Sequence, residues 1–186
     1  MGLTIQYQGR LTNTANVSRI RAELKSLANS LNWTFQEWND DWSKPCNAQL
    51  AVVDGKKRIT GHFSLKGGTL VIDKHNEAIP LLFDKKGHLR SPVNILNAQT
   101  DSAQRPVSVT LGNTVSDNAI WMLGLLKYMK KNYIPNLVVA DNADFWTAPD
   151  RGRLEQLLPP GNTSARRCTA DQIASKLETM FKVMQN

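Results

Sequence analysis

Residues 117–132 carry Ile120, Trp121, Met122, Leu123, Leu125, Leu126, Tyr128 and Met129, which at 3.6 residues per turn cover nearly the whole circumference of a helix. A helix of this kind cannot lie on a surface with one face wet, so the fold must cover it on more than one side. Lys127, Lys130 and Lys131 gather at its C-terminal end, where cations complement the helix dipole. Thr114 with Asp117 resembles a capping arrangement, with Ser116 a competing cap, and Pro135 ends the segment.

The other elements follow from shorter patterns. Residues 3–8 alternate apolar and polar and predict a first strand. Asn13 to Asn16 supplies capping residues before Val17, Ile20, Leu24, Leu27, Ala28 and Leu31, one face of an amphipathic helix, with Arg19, Arg21, Glu23 and Lys25 mostly on the solvent side. Residues 33–38 read as a short strand, followed by a polar loop.

From 49 to 84 the pattern predicts a meander with turns at Asp54-Gly55 and at Lys66-Gly67-Gly68, dipeptides that tight hairpins select because they tolerate positive φ. Within 58–65, Ile59, Phe63 and Leu65 are expected to face the core. Lys85-Lys86-Gly87 makes another turn. Val107, Val109 and Leu111 alternate as a strand, and 137–140 reads as a short buried one. A short helix follows Thr147-Ala-Pro149-Asp150, and the capping box Thr169 to Gln172 starts a last helix on Ile173, Leu177 and Phe181. Strand–helix–strand order occurs near both ends, over 3–38 and 105–140. The expected fold is one α+β domain over residues 1–186: a mainly antiparallel sheet with a central meander, packed by three main helices.

With 41% hydrophobic and 21% charged residues, the 186-residue chain falls outside collagen-like, disulfide-scaffold and disordered classes, and no apolar run is long enough to cross a bilayer. The opening residues lack the basic start and apolar run of a signal peptide, so a cytoplasmic protein with no membrane association is expected. Cys46 and Cys168 form no C-x-x-C pair and read as free thiols, although spacing alone leaves a bridge open.

Charge divides the chain into regions. The net +7 is concentrated in residues 55–90, which hold eight basic residues against three acidic ones. Two acidic segments carry tryptophan: Trp38, Asp40, Asp41 and Trp42 in one, Asp141, Asp144 and Trp146 in the other. If they meet, they form an aromatic-walled acidic pocket suited to a cationic group or a basic protein. Trp38 and Trp42, in a polar stretch, are the expected exposed aromatics. The first functional reading is therefore a non-enzymatic interaction protein whose contact surface is these seven residues and whose protein partner is unidentified.

The alternative is nucleic-acid or polyanion binding through Lys56, Lys57, Arg58, Lys66, Lys85, Lys86, Arg151 and Arg153, with Arg166 and Arg167 adding charge. The third reading is a metal-dependent hydrolase built on clustered Asp residues. Against it, His62, His75 and His88 lie 13 residues apart and form no ligand pair, and no nucleophile elbow or phosphate loop is present. Asp73-Lys74-His75 would place Asp73 and His75 on one face of a strand, and Asp141 to Asp144 resembles half a cation loop without its closing Glu. No cofactor is expected.

The opening Leu3-Thr-Ile-x-Tyr-x-Gly-x-Leu11, Trp33 closing the first helix, and residues 125–133 followed by Leu137-Val-Val-x-Asp-x-x-Asp-Phe-Trp146 resemble uncharacterised small bacterial proteins. The resemblance covers the first 33 residues and 105–158. It implies a soluble α+β domain and no functional residues to carry over. Where that pattern has an acidic residue or histidine, this chain has Asn118 or Asn142.

Overall fold

The structure is a computed structural model that describes residues 2–97, 105–161 and 168–185. It is an α+β fold built on antiparallel sheets. In chain order the elements are β1 (Leu3–Gln8), a 3-10 turn (Thr14–Asn16), α1 (Val17–Leu31), β2 (Thr34–Asn39), β3 (Gln49–Val53), β4 (Lys56–Thr60), β5 (Lys66–Val71), β6 (Ile79–Phe83), β7 (Leu89–Arg90), α2 (Pro92–Asn97), β8 (Val107–Leu111), α3 (Ser116–Asn132), β9 (Val138–Asp141), α4 (Arg151–Leu157) and α5 (Ala170–Val183).

Among the described residues three sheets replace the single one expected. β8-β1-β9 form the first, β2-β5-β6-β7 the second, and β3-β4 stand apart as a hairpin. The meander therefore divides after residue 60. Gly67 and Gly68 make no turn. They lie inside β5, opposite Trp38 and Glu37 on one side and Leu82 and Leu81 on the other. The glycines are needed there for close approach: a Cβ on Gly68 would strike the Phe35 ring, and Gly67, at φ +138°, has no room beside the Leu81 carbonyl.

The predicted inward face of 58–65 holds only at Leu65, which is buried. Ile59 is 55% exposed, and Phe63 is half-buried at the edge. Residues 138–141 form an edge strand in which only Val139 is buried, rather than a buried strand. Asp73 and His75 sit in a turn in which Asp73 accepts from the His75 N–H at 2.7 Å, not along a strand. Helix α3 starts without a side-chain cap: Thr114 Oγ1 instead accepts from Asn118 at 2.7 Å.

The expectation for α3 is met. Ten of its residues are buried, and it joins one core cluster with Leu3, Ile5 and Tyr7 of β1, Val107, Val109 and Leu111 of β8, and Ile173, Leu177 and Phe181 of α5. The α5 capping box forms as read, with both reciprocal hydrogen bonds present. The two strand–helix–strand units differ in topology: β8-α3-β9 returns to its own sheet across β1, whereas β1-α1-β2 leaves one sheet for the other.

The first two sheets meet where β1 ends. Tyr7 Oη donates to the Pro80 carbonyl at 2.6 Å, Arg10 bridges His88, and the Leu11 and Leu89 N–H groups donate to the Gly87 and Gly9 carbonyls. This junction holds the 84–88 turn in place.

All three tyrosines, Tyr7, Tyr128 and Tyr133, are buried. Burial raises each phenol pKa, that of Tyr133 to about 12, above the unfolded value of about 10. The native state thus holds protons that the unfolded chain has lost. Stability from this source is complete below about pH 10 and falls as pH rises towards 12. Tyrosinate absorbance is expected to appear only with loss of near-UV circular dichroism. Reversible ionisation near pH 10 in a chain still folded would contradict it.

Candidate anion-binding pocket

The pocket grows from the loop after β2. Asp40 ties this loop to the strand leading into β5: its N–H donates to the Leu65 carbonyl at 3.0 Å, and its Oδ2 accepts from the Leu65 N–H at 3.1 Å. Asp41 accepts from the Ser43 N–H at 2.9 Å, and hydrogen bonding by the Ser43 side chain and backbone holds its carboxyl below the usual carboxylate range. Ser64 Oγ donates to the Lys44 carbonyl at 2.9 Å. Both carboxylates of this segment are therefore spent on shaping the loop.

Folding the loop back sets Trp42 against the second sheet. Its Nε1 donates to the Phe83 carbonyl at 3.3 Å, and Lys66 Nζ lies 4.9 Å from its ring centroid. Opposite stands the 84–88 turn. Asp84 Oδ1 accepts from the Lys86 and His88 N–H groups at 2.9 and 3.0 Å, and Gly87, at φ +86°, closes the turn. This leaves Lys85 and Lys86 exposed at its tip.

Between the two lies a cavity of about 530 Å³ walled by Trp42, Phe63 and Leu65 and ringed by Lys44, Lys85, Lys86 and Arg90. Among the described residues Asp84 is the one acid lining it, and its Oδ2 faces His88 Nδ1 at 3.4 Å and Arg90 Nη1 at 3.7 Å. Lys85 and Lys86 also border a second depression formed with Arg10 and residues 11–14. A low count of acids among converging cations favours an anion.

The other candidate residues lie elsewhere. Trp38 is half-buried, edge-on to Phe63 with centroids 5.5 Å apart. Asp141 turns inward on its own chain, accepting from the N–H groups of Ala143, Phe145 and Trp146 at 2.8–2.9 Å. Asp144 is exposed at φ +55°, and Lys127 Nζ covers the Trp146 ring at 4.8 Å. The first acidic segment extends from the second sheet and the other from the first. Among the described residues no hydrogen bond, ion pair or ring contact joins them.

Of the basic candidates, Lys85 and Lys86 line the pocket and Lys66 lies over its Trp42 wall, while Lys56, Lys57 and Arg58 project on the exposed hairpin. Arg151 is occupied by Asp117 at 2.8 Å and Glu155 at 3.7 Å, and Arg153 faces Asp144 and Asp150 at 3.9 and 3.8 Å. Arg166 and Arg167 lie outside the described residues. Lys44 was not expected at a site, since it is the one cation of an acidic segment, and Arg90, though part of the basic block 55–90, was not singled out.

Both cysteines are free, with Cys46 exposed at the pocket rim. Among the described residues no group of three or more His, Cys, Asp or Glu side chains is placed to hold a metal ion, and no helix is long and apolar enough to cross a membrane. The chain is thus an α+β protein with a basic, aromatic-walled pocket beside its second sheet. No protein-family model, curated protein or solved structure matches it.

Proposed function

We propose that this protein binds nucleic acid through the Trp42 pocket, without catalysis. The observation that carries the reading is that Lys44, Lys85 and Lys86 line the same pocket as the Trp42 indole while Lys66 lies over its ring, four lysines drawn from three separate parts of the chain. Lysines contact phosphates, and the aromatic wall offers a π-face to a base without sequence preference. The acidic–aromatic segments support a cationic ligand or protein partner less well, because the Asp40, Asp41 and Asp141 carboxylates bind their own backbone.

Fluorescence anisotropy with a labelled 20-nucleotide oligothymidylate tests the reading. Binding is expected at low salt and to weaken steeply as salt rises. The Lys85→Gln/Lys86→Gln variant should bind more weakly, with a log–log salt dependence shallower by about 1.4, at roughly 0.7 per lost single-strand phosphate contact. Trp42→Ala should cost about 1–3 kcal/mol of affinity if a base stacks on the ring. Wild-type protein that neither binds the oligonucleotide nor is retained on heparin at low salt would overturn the proposal.

A further inference from the structure

The hairpin β3–β4 has no structural duty that accounts for its composition. A two-stranded sheet alone is marginal in water and ordinarily needs a third strand or a packed face. Here Leu50 is 53%, Val52 71% and Ile59 55% exposed, and the contact to the rest of the fold along the strands comes chiefly from α2. Its geometry is nonetheless well defined. Asp54 and Gly55 both take positive φ, at 52° and 71°, as a tight hairpin turn requires. At the base Asn47 exchanges hydrogen bonds with His62, N–H to carbonyl at 2.9 Å and Oδ1 from N–H at 2.7 Å. Gly61, at φ +86°, leaves no room for a Cβ against Asn47.

The register sorts the side chains. Leu50 pairs with Ile59 and Val52 with Lys57 on one face; Ala51 pairs with Arg58 and Val53 with Lys56 on the other. No acid opposes any of the three cations, and among the described residues none of them forms an ion pair. The ribbon is therefore an arm about 17 Å long at 3.4 Å per residue, with an apolar strip on one face and unneutralised charge near its tip.

We infer that the hairpin Gln49–Thr60 is a β-ribbon arm that enters the major groove of duplex DNA. The inference rests on the nucleic-acid reading of the pocket and adds the class of nucleic acid. A major groove about 12 Å wide admits a two-stranded ribbon. Leu50, Val52 and Ile59 face the base edges, where thymine methyl groups offer apolar contact. Lys56, Lys57 and Arg58 have stems long enough to reach the phosphates on either wall. Charge sets this occupant apart from a second copy of the chain, whose identical cations would repel. The arm's base adjoins the pocket, because residues 44–46 and 63–65, next to the Asn47–His62 pair that closes the hairpin, line it, so one bound strand can run from groove to pocket.

The test compares wild-type protein with Lys56→Gln/Lys57→Gln/Arg58→Gln and with Leu50→Ser/Ile59→Ser, titrating a 20-base-pair duplex and a 20-nucleotide single strand between 50 and 200 mM salt. Far-UV circular dichroism confirms folding, which these exposed positions should leave intact. The charge variant is expected to lose at least tenfold of the duplex-over-single-strand preference, with a duplex salt dependence shallower by about 2.7, or 0.9 for each lost phosphate contact. The apolar variant should weaken duplex binding and leave the salt dependence unchanged. A charge variant that binds duplex as wild type does, or wild-type protein that binds single strands only, overturns the arm and leaves the pocket reading standing. Wild-type protein that binds neither form overturns both. Concentration-dependent dimerisation abolished by the apolar variant, without duplex binding, also overturns the arm and identifies a second copy as the occupant.

Discussion

The Glu23→Ala variant is expected to lose about 4 kcal/mol of unfolding free energy, read as a drop in the urea midpoint, because removal of the buried carboxylate strands the two buried tyrosine hydroxyls that donate to it. Glu23 is only 4% exposed although it lies on α1. Its Oε1 accepts from Tyr133 Oη at 2.8 Å and from Arg19 Nε at 3.2 Å, and its Oε2 accepts from Tyr128 Oη at 3.1 Å. Tyr128 in turn meets Tyr133 and Phe181 edge-on, so one carboxylate links α1 to α3, to the residue that ends it, and through Phe181 to α5. Alanine would leave two buried hydroxyls without an acceptor, at about 1–3 kcal/mol each. Glu23→Gln keeps one acceptor oxygen and should lose roughly half as much, since hydrogen bonds to charged groups exceed neutral ones about twofold. Adding Tyr128→Phe and Tyr133→Phe to Glu23→Ala should recover part of the loss, because no buried polar group is then abandoned. A midpoint shift below about 1 kcal/mol for Glu23→Ala would show that the network contributes no more than an ordinary hydrogen bond.

The second large effect is expected at Gly124, in the middle of α3. A Cβ there would lie 2.6 Å from Ile173 Cβ and 3.0 Å from the Ala170 carbonyl oxygen, with Ile173 Cγ2 closer still. The two helices touch backbone to side chain with no space between them. In isolation glycine costs a helix interior about 1 kcal/mol relative to alanine, so its presence here marks a packing demand. Gly124→Val should destabilise by about 3 kcal/mol, the upper end of ordinary overpacking, and the loss should fall on α5. Its remaining ties to α3 include the Lys127–Asp171 and Lys131–Glu178 pairs at 3.2 and 2.9 Å, which are partly exposed and worth little each. Hydrogen exchange should accelerate across 170–183 and leave β5 and β6 protected. Uniform acceleration throughout the chain would mean that α5 does not open by itself, and stability within 0.5 kcal/mol of wild type, the range of a neutral surface change, would mean that the helices separate without cost.

Glu23 and the Gly67-Gly68 pair show why the sequence is only partly legible. By helical spacing Glu23 belongs with Arg19 and Arg21 on the wet side, and only the arrival of Tyr128 and Tyr133, more than a hundred residues later, makes its burial favourable. Gly67-Gly68 satisfies the local rule for a turn, yet β2 and β6 press on it from both sides and need residues without side chains. Asp54-Gly55 obeys the same rule and does form the turn, because among the described residues no element packs against the turn itself to override it. Local chemistry prevailed where tertiary contact is sparse and yielded where it is dense.

The site divides in the same way. Lys66, Lys85 and Lys86 were readable as a basic region, and Trp42 as an aromatic in polar surroundings, but the sequence associated Trp42 with its acidic neighbours and hence with a cationic ligand. Folding turned Asp40 and Asp41 into loop-closing acceptors and brought the indole under Lys66 and into a pocket lined by Lys85 and Lys86 instead.

What the sequence determined by itself were the α+β class, the three long helices with the α5 capping box, the Asp54-Gly55 hairpin and the separation of basic from acidic segments. Each of these rests on interactions within a few residues, on periodicity, capping and turn stereochemistry that the chain carries wherever it folds. Only the tertiary structure decided that the described strands form three sheets, that Glu23 faces inward, and that Lys44, Lys85 and Lys86 share a pocket with Trp42 while Lys66 lies over its ring. Those outcomes depend on pairing between residues tens of positions apart, and the register that selects them is set by which surfaces bury together.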